Sequence, residues 1–147
     1  MADLMIRSAV AADVPALARM EALLFSDAWS EASVASALSS SFSLALMAEM
    51  NGETVGYLLA SVLAPEGELL RIGVLPEYRK NGIGGRLMET FMQEAGALGC
   101  DTLFLEVRAK NESAISLYRR CGFLDCGSRK GYYKNPADDA LLMKTEI

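Results

Sequence analysis

The sequence predicts a single α/β domain in which helices flank one mixed β-sheet, with its elements in the order βααβββαβαββ. Three observations support this class. The chain has 147 residues, the length of one domain. Asn51-Gly52 lies between two apolar runs, which is typical of a β-hairpin. A long amphipathic helix then separates two later strands, which predicts one parallel crossover in a sheet otherwise built from hairpins.

The first half of the chain is predicted to hold four strands and two helices. The first helix begins where Asp13 precedes Pro15, because an acidic cap and a proline in the first turn are both common at helix starts. Its apolar residues share one face, at Leu17, Met20 and Leu24. A second, short helix is expected to begin after Ser30. The predicted strands are Leu4–Ala9, Phe42–Glu49, Thr54–Val62 and Glu68–Val74.

The second half begins with a longer predicted helix, Gly84–Leu98, which Gly99 ends. Its apolar stripe consists of Leu87, Met88, Phe91, Met92, Ala95 and Leu98. A strand over Thr102–Arg108 follows, and Asn111 then caps a helix that ends at Gly122. The final strands are Phe123–Tyr133 and Ala140–Glu146.

Histidine is absent from the sequence, and its absence excludes several kinds of catalytic site. Ser-His-Asp and Cys-His machinery is impossible, as is a zinc site that needs imidazole. The three cysteines form no CxxC pair, so we expect neither a disulfide framework nor a metal site. Any general base must therefore be a carboxylate, a tyrosine, a lysine, a cysteine or water.

Net charge and hydropathy limit the partners that we expect. The charge of −5 argues against broad binding to nucleic acid. The sequence has no apolar run of about 18 residues and no secretion signal after Met1, so we expect neither a membrane span nor export. These observations predict a cytoplasmic protein, and we expect a monomer or a weak dimer.

The segment from Ile72 to Gly85 combines a strand end, a loop and a helix start. Pro76 interrupts the strand, and a basic, glycine-rich loop then leads directly into the long helix. Glycines let a ligand approach the backbone, and free N–H groups at a helix start favour anions. Arg79 and Lys80 add positive charge. The segment predicts a pyrophosphate site, although a glycine-containing turn without a ligand has the same features, and it matches neither the P-loop nor the dinucleotide-binding pattern.

Two motifs in the second half of the chain are most informative together. The first is Arg-x-x-Gly-x-Gly at Arg79, Gly82 and Gly84. The second is Asn-x-x-Ala-x-x-Leu-Tyr-x-x-x-Gly-Phe, from Asn111 to Phe123. This combination resembles the GNAT superfamily of acetyl-CoA-dependent N-acetyltransferases, and the order of elements fits that fold across nearly the whole chain.

Shorter segments resemble, more narrowly, the bacterial ribosomal-protein-alanine N-acetyltransferases (RimI). These segments are Leu-Glu-Val-Arg at 105–108, Trp29-Ser30, and Tyr132-Tyr133 with Asp139-Ala140. Ala28 departs from the proline that the family usually has, in the loop on the substrate side. The resemblance implies that the substrate is a protein N-terminus, that of a basic small-subunit ribosomal protein that begins with alanine.

The resemblance also implies acetyl-CoA as co-substrate, direct transfer of the acetyl group to an amine, and a role for each site residue. The pantetheine arm would pair with the backbone of Ile72, Gly73 and Val74. The pyrophosphate would lie in the loop of Arg79, Lys80, Asn81, Gly82, Ile83 and Gly84. Asn111 would contact the cofactor near its pantetheine, and Glu106 would be the general base. Tyr118 would also contact the cofactor, as the acid beside the thioester sulfur.

The chemistry of these side chains favours α-amines over lysine amines. A glutamate, with an ordinary pKa of about 4.3, is a weak base. Near neutral pH, an α-amine with a pKa of about 7.7–8.0 is neutral roughly 250- to 500-fold more often than a lysine amine with a pKa of about 10.4. Tyr118, with an ordinary pKa of about 10, is better suited to donating a hydrogen bond to the developing thiolate than to complete proton transfer.

Several of these assignments have alternatives. Tyr118 lies on the apolar face of its helix and could be a core residue, and Glu106 could be an exposed strand carboxylate. Glu68, which precedes the cofactor strand, is a rival base. At the level of function, the alternatives are a GNAT enzyme that acetylates a small-molecule amine and a non-catalytic module that binds acetyl-CoA.

Aromatic side chains are expected to line a groove for the peptide, and the candidates are Trp29, Phe25, Tyr132 and Tyr133. Neighbouring residues of an extended strand point to opposite faces, so at most one of Tyr132 and Tyr133 should face the ligand. Asp138 and Asp139 could attract a basic peptide or could form a solvated turn.

Overall fold

The computed structural model describes residues 3–147. Met1 and Ala2 lie outside the described residues, and they belong to the N-terminal segment in which the sequence shows no secretion signal. The strands are β1 (Leu4–Ser8), β2 (Ser43–Met50), β3 (Glu53–Leu63), β4 (Glu66–Val74), β5 (Thr102–Arg108), β6 (Leu124–Tyr133) and β7 (Asp138–Glu146). The helices are α1 (Val14–Leu24), α2 (Glu31–Ser39), α3 (Ile83–Ala97) and α4 (Glu112–Arg120). All seven strands join one sheet in the order β1-β2-β3-β4-β5-β7-β6.

This architecture confirms the predicted order of elements and the predicted mixed sheet. β4 and β5 are parallel, and the other neighbouring pairs of described strands are antiparallel. Asn51 and Gly52 have positive φ values of 54° and 80°, as the predicted hairpin turn requires. Within residues 3–147, no helix has the length and apolarity needed to cross a membrane.

Helices cover both faces of the sheet and bury two apolar clusters. α3 and α4 pack on one face, where Leu58, Leu87 and Phe91 are fully buried. α1 and α2 pack on the other face, where Leu17 and Val34 are fully buried. Burial of each such side chain contributes about 1.5–3 kcal/mol, so these faces hold the helices against the sheet.

Two local predictions are wrong. The Asp13 side chain does not cap α1; its carboxylate accepts hydrogen bonds from Arg7 at 2.8 Å and from the Val10 amide at 2.7 Å. The ion pair between Arg7 and Asp13 ties β1 to the start of α1. The hydrogen bond from the Arg7 guanidinium also lowers the pKa of Asp13. Leu98 is not part of the buried stripe: it is the C-cap residue beyond the end of α3, its backbone is no longer helical, and it is 61% exposed.

A β-bulge in β4 positions the site. Opposite β3, Leu69 pairs with Ala60 and Arg71 pairs with Leu59, so Leu70 is an extra residue. β4 pairs with β5 only as far as Leu69, although both strands continue. Residues 70–74 of β4 and residues 106–108 of β5 do not pair with each other, and we call these two segments the splayed ends.

Candidate active site

A cavity of about 840 Å³ lies between the splayed ends, which both line it. The loop before α3 and one face of α4, from Ser113 to Arg120, contribute further lining. The rest comes from the α1–α2 connection (residues 25–30), the β6–β7 connection (residues 134–137) and neighbouring residues. The splayed ends therefore bring together loops that are far apart in the sequence.

The start of α3 has backbone geometry and charge that suit an anion. Gly82 is the N-cap residue, with a φ of 75° and no side chain to cap the helix, so the first N–H groups of α3 remain without an intrahelical partner. A Cβ placed on Gly82 or Gly85 would meet no atom within 4 Å, so both glycines border open space. Arg79 and Lys80 also line the cavity and bring positive charge to it.

Asn81 supports this loop from behind the cavity lining. Its side-chain amide donates hydrogen bonds to the carbonyl oxygens of Tyr78 at 3.0 Å and Arg79 at 3.3 Å. The Arg79 Nε in turn donates to the carbonyl oxygen of Val74 at 3.2 Å. The geometry makes Asn81 a residue that stabilises the loop, while the other five residues assigned to the pyrophosphate line the cavity.

The β4 backbone beyond Leu69 offers an unpaired strand edge on the side that faces β5. Ile72, Gly73 and Val74 line the cavity along this edge, so an amide-bearing ligand can extend the sheet there. Gly73 has no room for a side chain, because a Cβ would lie 2.8 Å from both Leu24 Cδ1 and Tyr57 Cε1. The end of α1 therefore packs directly on the sheet face of β4 at Gly73.

Glu106 enters the cavity from β5, and its side chain is partly exposed, at 29%. Its nearest cation is Arg129, with Nη2 at 3.7 Å from Oε1. The rival carboxylate, Glu68, does not line the cavity. Burial raises the pKa of Glu68, and the charge of Glu106 raises it further, so the two carboxylates lie close together and only Glu106 reaches the cavity wall.

Tyr118 is 5% exposed and lines the cavity from α4. Among residues 3–147, its hydroxyl has no hydrogen-bond partner, while its ring packs at a tilted angle on Phe123, with centroids 6.2 Å apart. Burial raises the pKa of Tyr118 well above its ordinary value, so the hydroxyl is a protonated donor. Asn111 caps α4 as predicted, through a hydrogen bond of 3.3 Å from the Ala114 amide, and it also lines the cavity.

The candidate substrate residues divide into two groups. Tyr133 and Phe25 line the cavity, whereas Tyr132 and Trp29 do not. Tyr132 is exposed, and Trp29 is partly buried and packs against the apolar cluster beneath α1 and α2. Burial raises the pKa of Tyr133, and the charge of Glu106 raises it further.

The two aspartates of the β6–β7 hairpin accept hydrogen bonds from backbone amides. Asp138 accepts a hydrogen bond from the Lys110 amide at 3.1 Å, and Asp139 accepts one from the Gly131 amide at 2.8 Å. These hydrogen bonds are those of a turn, and Asp138 also lines the cavity, so both alternatives in the sequence stay open for it.

Two arginines of the splayed ends make contacts that the sequence does not indicate. Arg71 binds the α1–α2 connection, and Arg108 donates to the carbonyl oxygens of Pro136 at 2.8 Å and Lys134 at 3.3 Å. The Arg108 guanidinium also stacks over the Tyr133 ring, 4.4 Å from its centroid. The one signal in the sequence is that both arginines lie near the ends of strands that border the cavity.

Comparisons with known proteins agree with this geometry. The acetyltransferase (GNAT) family model matches residues 14–123. The chain is 34% identical over 137 residues to the ribosomal protein bS18-alanine N-acetyltransferase of Escherichia coli, covering 92% of both chains. It is 36% identical over 141 residues to the N-alpha-acetyltransferase RimI of Mycobacterium tuberculosis, covering 92% of this chain and 87% of that one. The crystal structure of the ribosomal-protein-S18-alanine N-acetyltransferase from Escherichia coli superposes with a TM-score of 0.92 at 33% identity, covering 99% of this chain and 94% of that one.

The chain thus belongs to the GNAT family of acetyltransferases. It is an acetyl-CoA-dependent N-acetyltransferase, with acetyl-CoA as its co-substrate. The cavity suits this co-substrate, because free N–H groups, glycines and cations suit a pyrophosphate, and the unpaired edge of β4 suits the amides of pantetheine.

Replacing Gly85 by alanine should stabilise the fold and at the same time weaken co-substrate binding. Alanine is the better helix former by up to about 1 kcal/mol, and its Cβ meets no protein atom, so the free energy of unfolding should rise. The methyl group would occupy space that the pyrophosphate needs, so the KM for acetyl-CoA should rise about tenfold. Thermal unfolding and initial rates measure the two effects.

Gly96→Ala is the matched control in the same helix. Its Cβ would lie at an ordinary contact distance, 3.7 Å from Ile147 Cδ1, and Gly96 does not line the cavity. This variant should keep the wild-type KM. A wild-type KM in the Gly85→Ala enzyme would contradict the placement of the pyrophosphate.

Proposed function

We propose that this enzyme acetylates the N-terminal α-amino group of a protein, and that its substrate is a basic ribosomal protein that begins with alanine. The observation that carries this proposal is the cavity that joins a carboxylate, Glu106, to a buried tyrosine donor, Tyr118, between the splayed ends. Similarity to the bS18-alanine and RimI enzymes over nearly the whole chain supports the choice of substrate. A cytoplasmic location, where ribosomal proteins are made, fits the proposal.

The absence of histidine supports an α-amine as the nucleophile. The attacking nitrogen must be neutral, and a carboxylate is a weak base for removing its proton. An α-amine reaches the neutral form at a free-energy cost about 3.3–3.7 kcal/mol lower than that of a lysine amine. A site whose base is a carboxylate is therefore better matched to protein N-termini than to lysine side chains.

In the proposed mechanism, Glu106 and Tyr118 act on opposite sides of one transfer. Bound acetyl-CoA supplies the thioester whose carbonyl carbon the amine attacks. Glu106, directly or through a water molecule, accepts the proton that the amine loses. Tyr118 donates a hydrogen bond to the sulfur as the C–S bond breaks, which stabilises the developing thiolate. Asn111 and the β4 edge hold the co-substrate in position between them.

The first test is the rate of free-thiol release from acetyl-CoA with three peptides of one basic sequence. One has a free N-terminal alanine, one has a blocked N-terminus, and one has a blocked N-terminus and an added lysine. Release should occur only with the free N-terminus. Release with the lysine peptide would overturn the α-amine proposal. If no peptide gives release, free amines are offered in place of the peptides: release with them would favour a small-molecule substrate, and acetyl-CoA binding without release would favour a non-catalytic module.

Substitution of the proposed catalytic residues should lower kcat and leave the KM for acetyl-CoA within about twofold of the wild type. Glu106→Gln should lower kcat by about 10²–10⁴-fold, the usual contribution of a general base. Tyr118→Phe should lower it by about 10²-fold, as for loss of one preorganised donor. Glu68→Gln is the control and should be nearly fully active, because Glu68 does not line the cavity. Loss of activity in Glu68→Gln together with activity in Glu106→Gln would transfer the base role to Glu68.

The pH dependence of the rate should reflect ionisation of the substrate α-amine and not ionisation of the Tyr118 hydroxyl. We expect kcat/KM for the alanine peptide to rise with pH and to level off above about pH 8, as the α-amine becomes neutral. The rate should not fall again up to about pH 9.5, because the raised pKa of Tyr118 keeps its hydroxyl protonated. A decline near pH 9 that is absent from Tyr118→Phe would show that ionisation of this hydroxyl limits the rate.

A further inference from the structure

Arg71 lies at the point where the strand edge of β4 meets the α1–α2 connection. The bulge at Leu70 places Arg71 opposite Leu59, on the sheet face that α1 and α2 cover. Its side chain is 13% exposed, and the residue lines the cavity. A guanidinium in this position needs acceptors, and it finds them in a single region of the chain.

All polar contacts of the Arg71 side chain lead to α1 and residues 25–30. Its Nε and Nη2 lie 3.1 Å and 3.0 Å from Oε1 of Glu21, which is completely buried. Nη2 also donates to the carbonyl oxygen of Asp27 at 2.9 Å and to its Oδ1 at 3.2 Å. The guanidinium stacks on Phe25, 4.1 Å from the ring centroid, and lies 5.7 Å from the Trp29 centroid.

The α1–α2 connection has little hydrogen bonding of its own. The Phe25 amide continues the helical pattern to the Glu21 carbonyl at 2.9 Å. The Trp29 amide donates to the Glu21 carboxylate at 3.0 Å, and Asp27 is held by Arg71. Tyr57 donates to the other carboxylate oxygen of Glu21. The conformation of residues 25–29 therefore depends on the Glu21–Arg71 pair.

The same connection forms part of the cavity wall. Phe25, Ser26 and Asp27 line the cavity together with Tyr133. Asp27 and Tyr133 therefore border the same cavity as Glu106. A shift of the connection would change the space beside the proposed base.

We propose that Arg71 is a positioning residue for the peptide substrate: it fixes the wall formed by residues 25–27 and thereby sets the affinity for the first residues of the peptide. This inference rests on the proposed function. Lysine cannot substitute for Arg71, because one ammonium group cannot form the planar fork that bridges Glu21 and Asp27 while stacking on Phe25.

Arg71→Lys tests the inference and retains a positive charge beside the buried Glu21, so that the carboxylate is not left unpaired. The KM for the alanine peptide should rise about tenfold, while kcat and the KM for acetyl-CoA stay within about twofold. In the absence of peptide, amide hydrogen exchange of residues 25–30 should become about tenfold faster, with no change in α3 or β5.

Arg7→Lys is the matched control. Arg7 also bridges two carboxylates, Asp13 at 2.8 Å and Glu49 at 3.1 Å, but it does not line the cavity. The Arg7→Lys variant should keep the wild-type KM for both substrates. An unchanged peptide KM in Arg71→Lys would overturn the inference, and so would unchanged exchange of residues 25–30. An equal rise in peptide KM in Arg7→Lys would also overturn it. If the wild-type enzyme releases no thiol with any peptide, the proposed function fails, and the exchange difference between the two variants still decides whether Arg71 holds the wall.

Discussion

The separation of β4 from β5 after Leu69 is the constraint on which the rest of the site depends. Paired strands satisfy each other's backbone groups, so an unpaired edge must find other partners, water or a ligand. One group of the β4 end is satisfied within the chain, since Arg79 donates to the Val74 carbonyl. The remaining groups face the cavity. β3 and β7 hold the two splayed ends apart from either side, so the cleft is part of the sheet itself.

Each splayed end also carries an arginine that organises one wall. Arg71 reaches from β4 to residues 25–30, and Arg108 reaches from β5 to residues 134–137. Their electrostatic settings differ, because Arg71 lies between two carboxylates while Arg108 binds carbonyl oxygens and an aromatic face. The connections that border the cavity are therefore positioned by the sheet and not by their own backbone hydrogen bonds.

Features that depend on neighbouring residues could be predicted from the sequence, whereas contacts between distant segments could not. The Asn51-Gly52 turn and the Asn111 cap follow from local chemistry, and both are present. Asp13 has the sequence of a helix cap, but the approach of Arg7 on β1 gives its carboxylate a stronger partner. The pairing of Arg71 with Glu21 joins residues 50 positions apart, and no pattern near either residue indicates it.

The candidate site shows the same division. The glycine-rich loop before α3 could be assigned to an anion because its glycines, cations and helix start are contiguous in the sequence. The aromatic candidates could not be ranked in that way, since strand alternation indicates that only one of Tyr132 and Tyr133 faces a ligand and does not say which. Tertiary packing decides this, by placing Arg108 over Tyr133 and leaving Tyr132 exposed.

Gly73 has no side chain, and at this residue the co-substrate half of the cleft lies directly beside residues that support the peptide half. Leu24, at the end of α1, and Tyr57, which donates to Glu21, occupy the volume that a Cβ would need. The backbone proposed to receive the co-substrate therefore lies directly beside residues that support the opposite wall. A ligand that displaced this backbone would have to displace Leu24 or Tyr57 as well, and this contact is a route by which one ligand can change the affinity for the other. Such an effect is reciprocal by thermodynamic necessity, because each ligand changes the affinity for its partner by the same factor.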